Sequence, residues 1–440
     1  MIFRSFARGI SSLREHEQLL MISISTVLVM AGQGVISPIL PLFAKNLGVG
    51  AAVIGLTLSF FALARLILNV PLGILSDRYG RRMLLISGPL VTAVGMFGSG
   101  FAGDIVQLLA WRFVAGAGSA MYMTGAQIYL ADISTPANRA RFIGTNQGAL
   151  LLGVAVGPAI GGVVAEFWGL RAPFILVGAM ALVAMVYAYW RLPETKHLAP
   201  PPPAPVEVLA GQKRPRRLWV TFITSKDFIA VALVAAAIFF TRAAARQTVI
   251  PLMAVENLGF SEGSLGVLFT AVAAINTILI APSAMIADKW GRKAAIVPSG
   301  LFVALSLILI GISPTTLIFV AANLLLGVAT AMAGPAPAAY AADISPPHLR
   351  GLGMGLFRTA GDFGFMVGPP MLGAIADVTS YETALVVNAV LMGLAALFFL
   401  TARETLERPI AADVAPAPVP EAPPATSPVA TATDERRGNS

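Results

Sequence analysis

The segment GILSDRYGRR occupies residues 73–82, and a near copy, AMIADKWGRK, occupies residues 284–293, which is 211 positions further along the chain. The same offset relates other positions of the two halves that carry identical residues. These pairs are Tyr129 and Tyr340, Asp132 and Asp343, Arg139 and Arg350, Gly157 and Gly368, and Pro158 and Pro369. Identical residues at one fixed spacing predict that the chain contains two copies of one structural unit.

Long apolar runs surround both copies. Of the 440 residues, 57% are hydrophobic and 12% are charged, whereas soluble domains have about half apolar and about a quarter charged residues. Polar or Gly/Pro breaks separate twelve runs of about 20 residues, each long enough to cross a hydrocarbon core as a helix. The sequence therefore predicts an all-α membrane protein with twelve transmembrane helices in two six-helix bundles. The predicted spans are 18–42, 52–75, 83–102, 106–130, 142–165, 170–191, 227–250, 261–286, 294–312, 315–341, 351–375 and 380–401.

The spans divide the chain into four predicted parts. Residues 1–191 form the N-terminal six-helix bundle, 192–226 a connector, 227–403 the C-terminal six-helix bundle and 404–440 a tail. The connector is rich in proline and basic residues, which keeps it extended at a membrane surface. The tail is rich in Pro, Ala and Thr and is expected to be disordered.

The distribution of Lys and Arg predicts the orientation. Of 30 such residues, 23 fall on the side that carries both termini and the connector, Lys45 and Arg171 fall on the other side, and five lie inside spans. The positive-inside rule then places both termini in the cytoplasm, in a multi-pass protein of an inner or plasma membrane. The net charge of +8 thus reflects topology rather than nucleic-acid binding. Cysteine is absent, which excludes disulfides and thiolate metal sites.

Each half has six spans, so both copies keep the same orientation and their two-fold axis runs along the membrane normal. Symmetry places a solute site between them. The loop pattern G-x3-D-[RK]-x-G-[RK]-[RK] at 73–82, with Ala284 replacing the first glycine in the second copy, resembles the signature of the major facilitator superfamily of secondary transporters. The resemblance covers nearly the whole chain. It implies a monomeric transporter of a small molecule, without enzyme activity, cofactor, metal or nucleic-acid partner.

The same resemblance implies a gate at the cytoplasmic side. Asp77 is expected against the N-terminus of the eleventh helix near Gly351, and Asp288 against the start of the fifth, because a helix dipole favours an anion there. The alternative for the cations of both loops is anchoring by the positive-inside rule. The acid–base pairs that follow the fourth and tenth spans join the gate by resemblance, with turn punctuation as their alternative. The predicted gate residues are Gly73, Asp77, Arg78, Gly80, Arg81, Arg82, Asp288, Gly291, Arg292, Lys293, Asp132, Arg139, Asp343 and Arg350.

Glycines dominate the fifth span in the pattern G-x8-G-x3-G-P-x2-G-G. Such a face lets helices approach closely, and a proline bends the helix axis. Tight packing is one interpretation. The spacing also resembles the motif of the drug:proton antiporter branch, which implies export of drugs in exchange for protons, although the eleventh span carries a partial copy. The motif residues are Gly144, Gly153, Gly157, Pro158, Gly161 and Gly162.

Ionisable residues within spans are costly and usually functional. Asp362 lies near the midplane of the eleventh span, with Arg358 one turn before it and Arg65 at the same depth of the second span. We predict that Asp362 couples transport to protons, with a permanent Arg358 ion pair as the alternative. Arg112 resembles a buried family arginine linked to proton transfer, and snorkelling to the interface is its alternative. The predicted coupling residues are Asp362, Arg358, Arg65 and Arg112.

Polar residues on the first, fourth, seventh and tenth spans are the candidates for a substrate cavity. The uncharged ones also fit simple interhelical hydrogen bonds. They are Gln33, Tyr122, Gln127, Arg242, Arg246 and Asn323. Arg242 and Arg246 suit an anionic solute, so transport of a polar or anionic metabolite is the alternative function. Neither the first nor the fourth span has an acid before Asp132, unlike many drug exporters of the family. A membrane enzyme or sensor is disfavoured because no catalytic or metal-binding set is recognisable.

Overall fold

The computed structural model describes residues 2–135, 138–198, 216–346 and 350–405. Lys213 and Arg214 of the predicted connector, and residues 406–440 of the predicted disordered tail, lie outside this part of the chain. Within it, helices and their connections account for the whole structure, and no strand occurs.

Twelve long helices follow one another along the chain. In the first half they are α1 (Ile2–Ile36), α2 (Ala51–Tyr79), α3 (Arg81–Phe101), α4 (Ile105–Ile133), α5 (Arg139–Trp168) and α6 (Ala172–Arg191). In the second half they are α7 (Lys226–Leu258), α8 (Glu262–Trp290), α9 (Arg292–Gly311), α10 (Thr316–Ile344), α11 (Arg350–Val378) and α12 (Tyr381–Phe399). The twelve predicted spans correspond to these helices one by one.

Ten of the twelve are long and apolar enough to cross a membrane by length and composition. The other two, α4 and α11, are as long but less apolar. Arg112 lowers the hydropathy of α4, and Arg358 and Asp362 lower that of α11. A spanning helix tolerates such residues where it faces the interior of the bundle or a water-filled cavity.

Three breaks differ from the predicted spans. Pro38 has no N–H to continue the ladder, so α1 ends at Ile36 and a short helix, Ile39–Lys45, follows. In α7 the backbone changes to a π-helix over Thr241–Val249, and the helix continues to Leu258 rather than ending near residue 250. In α10, Gly334 and Pro335 separate Thr316–Ala333 from Ala336–Ile344.

The glycine face of α5 packs directly on α1. A Cβ at Gly157 would lie 2.5 Å from the Cα of Gly34, and one at Gly153 would lie 2.7 Å from the carbonyl oxygen of Val27. Gly161 touches the backbone of Val35 in the same way. The second copy repeats the arrangement, with glycines of α11 against α7. Two backbones can approach this closely only where side chains are absent from the contact.

The two halves meet through the other face of these helices. Gly162 of α5 lies against Gly266 of α8, and Gly373 of α11 lies against Ala51 of α2. These contacts lie at one end of the bundle, near the loops at 46–50 and 259–261, which we call the opposite end. The end that carries the loops at Gly80 and Gly291 is called the basic end.

Toward the basic end the halves separate. One apolar cluster at the opposite end combines both halves, including Ile54 of α2 and Leu372 of α11. Near the basic end each half has its own cluster, around Tyr129 in the first and Tyr340 in the second. The space beside Gly73 of α2 is open, as it is beside Gly144, Gly148 and Gly355. From this separation we infer a cavity between the halves that opens at the basic end.

We expect Gly157→Leu to insert into membranes but to lose its folded state. A leucine at this position meets the backbone of α1, and overpacking of a tight contact costs about 1–3 kcal/mol or more, while the hydropathy that directs insertion rises. The measurement is the monodisperse peak and melting temperature of detergent-purified protein. Gly148→Leu is the matched control, because it places the same side chain on the same helix in open space. Equal melting temperatures for the two variants would contradict the packing role.

Candidate functional site

A buried ion cluster closes the basic end of the first half. The Arg81 guanidinium donates from Nε to Asp132 at 2.8 Å and also contacts Asp77 at 3.1 Å. Arg81 is buried, and the Asp132 side chain is only 5% exposed. A buried arginine with carboxylate partners keeps the end of α4 attached to the start of α3.

Glu194, which follows α6, completes this cluster. Its carboxylate accepts the backbone N–H groups of Arg81 at 3.0 Å and Arg82 at 3.2 Å, the first amides of α3. The Thr195 hydroxyl donates to Asp132 at 3.1 Å. Burial raises the pKa of Glu194, but the backbone N–H groups of Lys196, Arg81, Arg82 and Thr195 lower it, and the net pKa lies below its usual value. An anion at a helix N-terminus satisfies free amides and the helix dipole together.

Gly80 connects α2 to α3 and makes this approach possible. Its φ of +97° favours glycine, and a Cβ there would collide with the Glu194 carboxylate. Gly291 has a φ of +108° and lies in the same way against Glu404. The glycine of the signature loop thus serves both the turn and the carboxylate that caps the next helix.

The second half contains the same ion pairs and helix-capping hydrogen bonds at the equivalent residues. Arg292 contacts Asp343 at 3.1 Å and Asp288 at 2.6 Å. Glu404 accepts the N–H groups of Arg292 and Lys293, both at 2.9 Å, and Thr405 donates to Asp343 at 3.1 Å. This copy is looser, since the Asp343 side chain is 38% exposed.

The last cation of each loop binds the end of another helix. Arg82 donates to the Tyr189 carbonyl oxygen at 2.6 Å, near the C-terminus of α6. Lys293 donates to the Leu400 carbonyl oxygen at 2.8 Å, just after α12. Cations favour helix C-termini, where carbonyl groups lack partners. These residues have specific partners beyond general anchoring at a membrane surface.

The expected contact of Asp77 with the eleventh helix belongs to a state closed at the basic end, and it stays a prediction here. Asp77 does not approach another half: it pairs with Arg81 on its own side, and its side chain is 73% exposed. Asp132 and Asp343 form ion pairs with Arg81 and Arg292, the loop arginines of their own halves. Among the described residues, Asp77 has no ion pair with the other half. The side chains of Arg139 and Arg350 lie outside the described part of the structure. Arg78 stacks on the neighbouring Tyr79 ring.

At the opposite end the halves are joined by polar contacts. Asp377 at the end of α11 accepts the N–H groups of Ala51 at 2.7 Å and Ala52 at 2.9 Å, the first residues of α2. Lys45 of the first half forms an ion pair with Glu256 of α7 at 2.5 Å. Tyr381 of α12 donates to Glu256 as well. These contacts close the route from the cavity to this end.

Midway along the bundle two hydrogen bonds join the halves, one in each symmetry-related position. The Ser59 hydroxyl of α2 donates to the Met366 carbonyl oxygen of α11 at 2.5 Å. Between α5 and α8, the Ala159 N–H donates to the Thr270 hydroxyl at 2.8 Å, and Thr270 is the counterpart of Ser59 at the 211-residue offset. These contacts mark the apex of the cavity.

Charged residues gather directly below this apex. Arg65 follows Ser59 by six residues, about 9 Å along α2, and Asp362 precedes Met366 by four residues, about 6 Å along α11. Arg65 interacts electrostatically with Asp362, Arg358 and Arg242, and Arg242 with Arg246. The structure brings these predicted residues together from both halves. Among the described residues Asp362 has no Lys or Arg nitrogen within the 4.0 Å of an ion pair, so the permanent Arg358 pair is not formed.

Arg112 does not join this group. It is 4% exposed, its guanidinium lies 4.7 Å from the Phe61 ring, and its Nε contacts the Thr57 carbonyl oxygen at 3.5 Å. Nη1 has no hydrogen-bond partner in the described structure. Snorkelling to the interface is therefore excluded here, and Arg112 joins α4 to α2 inside the first half.

The uncharged cavity candidates separate into two kinds. Gln127 is exposed, and Gln33 is half-buried with its amide donating to Ser119 at 3.1 Å. Tyr122 is fully buried and bonds Thr26 at 2.9 Å. Asn323 is also buried and donates to the carbonyl oxygen of Phe319, one turn back on its own helix. In this structure Tyr122 and Asn323 contribute to packing within their halves and do not line the cavity.

Sequence analysis missed the residues that hold the two ends together. Glu194 and Thr195 recur as Glu404 and Thr405, just after the last helix of each half. Asp377 has its counterpart in Glu166 at the 211-residue offset. The internal repeat was a signal that could have found both pairs, because polar residues duplicated at span ends share one structural role in both copies.

Comparison with known proteins supports the fold. The sequence profile of the Major Facilitator Superfamily matches residues 22–253 and 235–432. An uncharacterized MFS-type transporter of Methanocaldococcus jannaschii is 26% identical over 364 residues, which is 82% of this chain and 92% of that protein. Multidrug resistance protein 2 of Bacillus subtilis is 30% identical over 185 residues, which is 42% of this chain and 46% of that protein. The match to this relative thus spans less than half of its length.

Among solved structures, a bacterial homolog of the human lysosomal transporter Spinster, in an inward-facing and occupied conformation, superimposes with a TM-score of 0.74. It is 18% identical, and the alignment covers 87% of this chain and 95% of that one. The similarity confirms the predicted architecture of two six-helix bundles.

We expect Glu194→Gln to lower stability by about 0.3–1 kcal/mol at pH 7, the usual contribution of an anion at a helix N-terminus. The native pKa of Glu194 is lowered, so its stabilisation is present above the unfolded pKa and disappears as pH falls through the native pKa. Melting temperatures of wild type and variant should therefore converge as pH is lowered below about 4.

The matched control is Glu17→Gln, since Glu17 forms only an exposed pair with Arg191 at the same end. This variant should melt like wild type at every pH. A Glu194→Gln deficit that stays constant with pH would show that the charge of Glu194 is not what stabilises the cluster.

Proposed function

The chain belongs to the Major Facilitator Superfamily and is a multi-pass membrane transporter rather than an enzyme, and on that premise we propose that it exports small amphipathic or hydrophobic compounds by proton-coupled alternating access. The observation that carries the proposal is the pair of unequal ends: the halves touch at the opposite end and are apart at the basic end. The basic end is the cytoplasmic one by the positive-inside rule. The exported compound would enter the cavity from there.

Rocking of two stable halves explains how access would alternate. Each half has its own ion cluster at the basic end, around Arg81 or Arg292, and among the described residues these clusters involve only their own half. The halves can therefore move as bodies while their internal contacts persist. In the reverse state Asp77 and Asp288 would cap the starts of α11 and α5, the contact that the family resemblance implies. Their present exposure leaves them available for it.

Asp362 is the proposed proton site. It is the carboxylate beside Arg65 at the cavity apex, and α2 and α11 change their distance when the halves rock. The environment of this carboxylate would therefore differ between the two access states, as a coupling group requires. The direction of transport is supported by the glycine motif of α5 and by the multidrug resistance relative.

A second candidate is transport of an anionic metabolite. The observation that favours it is the excess of arginine over carboxylate at the cavity apex. The two candidates share the cavity and the alternating mechanism and differ in the solute.

The function is tested with purified protein in proteoliposomes. Asp362→Asn should abolish the response of transport to a pH gradient and should retain counterflow exchange of solute, because Asn preserves size and removes the titratable group. The control is Asp104→Asn, an exposed helix cap outside the cavity. A variant that melts like wild type and still responds fully to the pH gradient would exclude Asp362 as the coupling group.

A second prediction concerns the latch of the reverse state. Asp77→Asn should shift the population toward the basic-end-open state, because an amide loses most of the interaction with a helix N-terminus, worth about 0.3–2 kcal/mol. Arg81→Lys, which keeps the charge, serves as the comparison. The chain has no native cysteine, so spin labels at Ile74→Cys of α2 and Leu352→Cys of α11 report the opening cleanly. Identical distance distributions with Asp and Asn at position 77 would argue against a latch.

A further inference from the structure

The cavity apex carries more positive than negative charge. Four arginines and one carboxylate belong to it: Arg65, Arg242, Arg246, Arg358 and Asp362. None of these arginines forms an ion pair within 4.0 Å among the described residues. We propose that this cluster binds the negatively charged group of the transported solute, so that the substrates are amphipathic organic anions with a carboxylate, sulfonate or phosphate head. The inference rests on the proposed transport function and names its substrate class.

The charge balance is the first argument. With Asp362 ionised, the cluster has a net charge of about +3, because arginine remains protonated in proteins. Charge of one sign inside a membrane is costly and is retained where it pairs or serves a pathway. A cavity with low-dielectric walls also focuses the field of its charges, which attracts ions of opposite sign. Guanidinium groups bind carboxylate and phosphate in bidentate fashion.

The backbone of α7 is the second argument, and it is independent of the charge count. The π-helical segment Thr241–Val249 carries both Arg242 and Arg246, and it packs against α2 and α11. Segments of π-helix inside α-helices occur frequently at functional sites. Arg242 is exposed and Arg246 is half-buried, although both lie in the middle of a spanning helix. The distorted segment thus carries two cations that are at least partly exposed in the middle of a spanning helix.

An apolar surface lies beside the cations. The half-buried Phe239 ring packs on Gly361, the neighbour of Asp362, and it precedes Arg242 by three residues on α7. A solute with an anionic head and an apolar body could place the head among the arginines and the body on this ring. The site thus fits an amphipathic anion better than a small inorganic one.

Binding of an anion would also act on the conformation. Arg65 belongs to the first half, whereas Arg242 and Arg358 belong to the second, and these like charges repel across the cavity. An anion between them removes that repulsion and attracts both halves. A ligand that interacts more favourably with the closed state shifts the population toward it. Occupancy would therefore favour closure of the basic end.

Asp362 competes with the solute for the same arginines. Replacing its carboxylate by a neutral amide should strengthen anion binding, because it removes a negative charge beside the arginines. This gain of affinity is specific to an anion site, because a site for cations or neutral compounds would lose affinity or stay unchanged.

The test uses three probes that share a naphthalene body: 1-naphthoate, 1-naphthalenemethanol and 1-naphthylmethylammonium. Binding to the purified protein in zwitterionic nanodiscs is measured by calorimetry and by the rise in melting temperature, since a ligand of the folded state raises apparent stability. We expect 1-naphthoate to bind at least about tenfold more tightly than the other two probes.

Variants locate the site. Arg242→Gln and Arg246→Gln should each weaken 1-naphthoate binding by about tenfold and leave the alcohol unaffected, and Asp362→Asn should strengthen it. Arg242→Lys keeps the charge and should retain most of the affinity, which separates loss of charge from misfolding. Arg171→Gln, at an exposed arginine of the opposite end, is the matched control.

Equal binding of the three probes, or equal weakening of all probes by Arg242→Gln, would overturn the proposal. It would also be overturned if phosphatidylglycerol in the nanodiscs displaced 1-naphthoate competitively, because the ligand would then be a lipid head group. Binding without uptake in proteoliposomes would leave the anion site standing and refute the proposed transport. Transport of the alcohol without any binding of 1-naphthoate would refute the anion site and leave the proposed transport standing.

Discussion

Close contact between helix backbones is the interaction on which this structure depends. Within a bilayer, apolar side chains gain little by leaving lipid for protein, so association relies on van der Waals packing and on polar contacts. Gly157 lets α5 reach α1, and Gly162 on another face of the same helix lets α5 reach α8. The counterparts on α11 do the same toward α7 and α2. One helix of each half therefore packs tightly within its own bundle and also forms the contact between bundles.

The structure has two kinds of polar cluster: one joins helices within a half, and the other joins the two halves to each other. The clusters around Arg81 and Arg292 join helix ends within one half and lie where the halves are apart. The contacts of Asp377 and Lys45 join the two halves and lie where they touch. Breaking a contact of the second kind costs little, because both partners become solvated when that end opens. Breaking the Arg81 cluster would leave buried charges without partners, so each half remains intact while the halves move.

The sequence predicted the twelve helices and the two-fold repeat, because a hydrocarbon core admits one element length and because the repeat is visible in identical residues. It also placed Arg65 and Asp362 at one depth, near the midplane of their spans. The conformational state could not be read from it, since Asp77 has the same sequence context in the open and the closed state. Nor could the pairing of Asp132 with Arg81 be predicted, because the two residues are 51 positions apart and only the tertiary fold brings them together. Tyr122 and Asn323 were misplaced because periodicity does not separate a cavity face from a tightly packed interior.

The arginines at the cavity apex limit how the two halves can approach each other, because their positive charges need compensation. A cation in the middle of a spanning helix is tolerated when a carboxylate, water or a ligand compensates it. Arg112 lies against the Phe61 ring and a carbonyl oxygen, away from the cavity, and so has a constant environment in the first half. Arg65 belongs to the first half and Arg242 to the second, so in the proposed mechanism their environment would change in every cycle. Closing the gap between the halves without a counter-charge would bring like charges together in a medium of lower dielectric, where their repulsion grows. In the proposed mechanism an empty cavity would therefore resist closure at this point, and a bound anion would remove the resistance, which would link movement of the halves to the presence of solute.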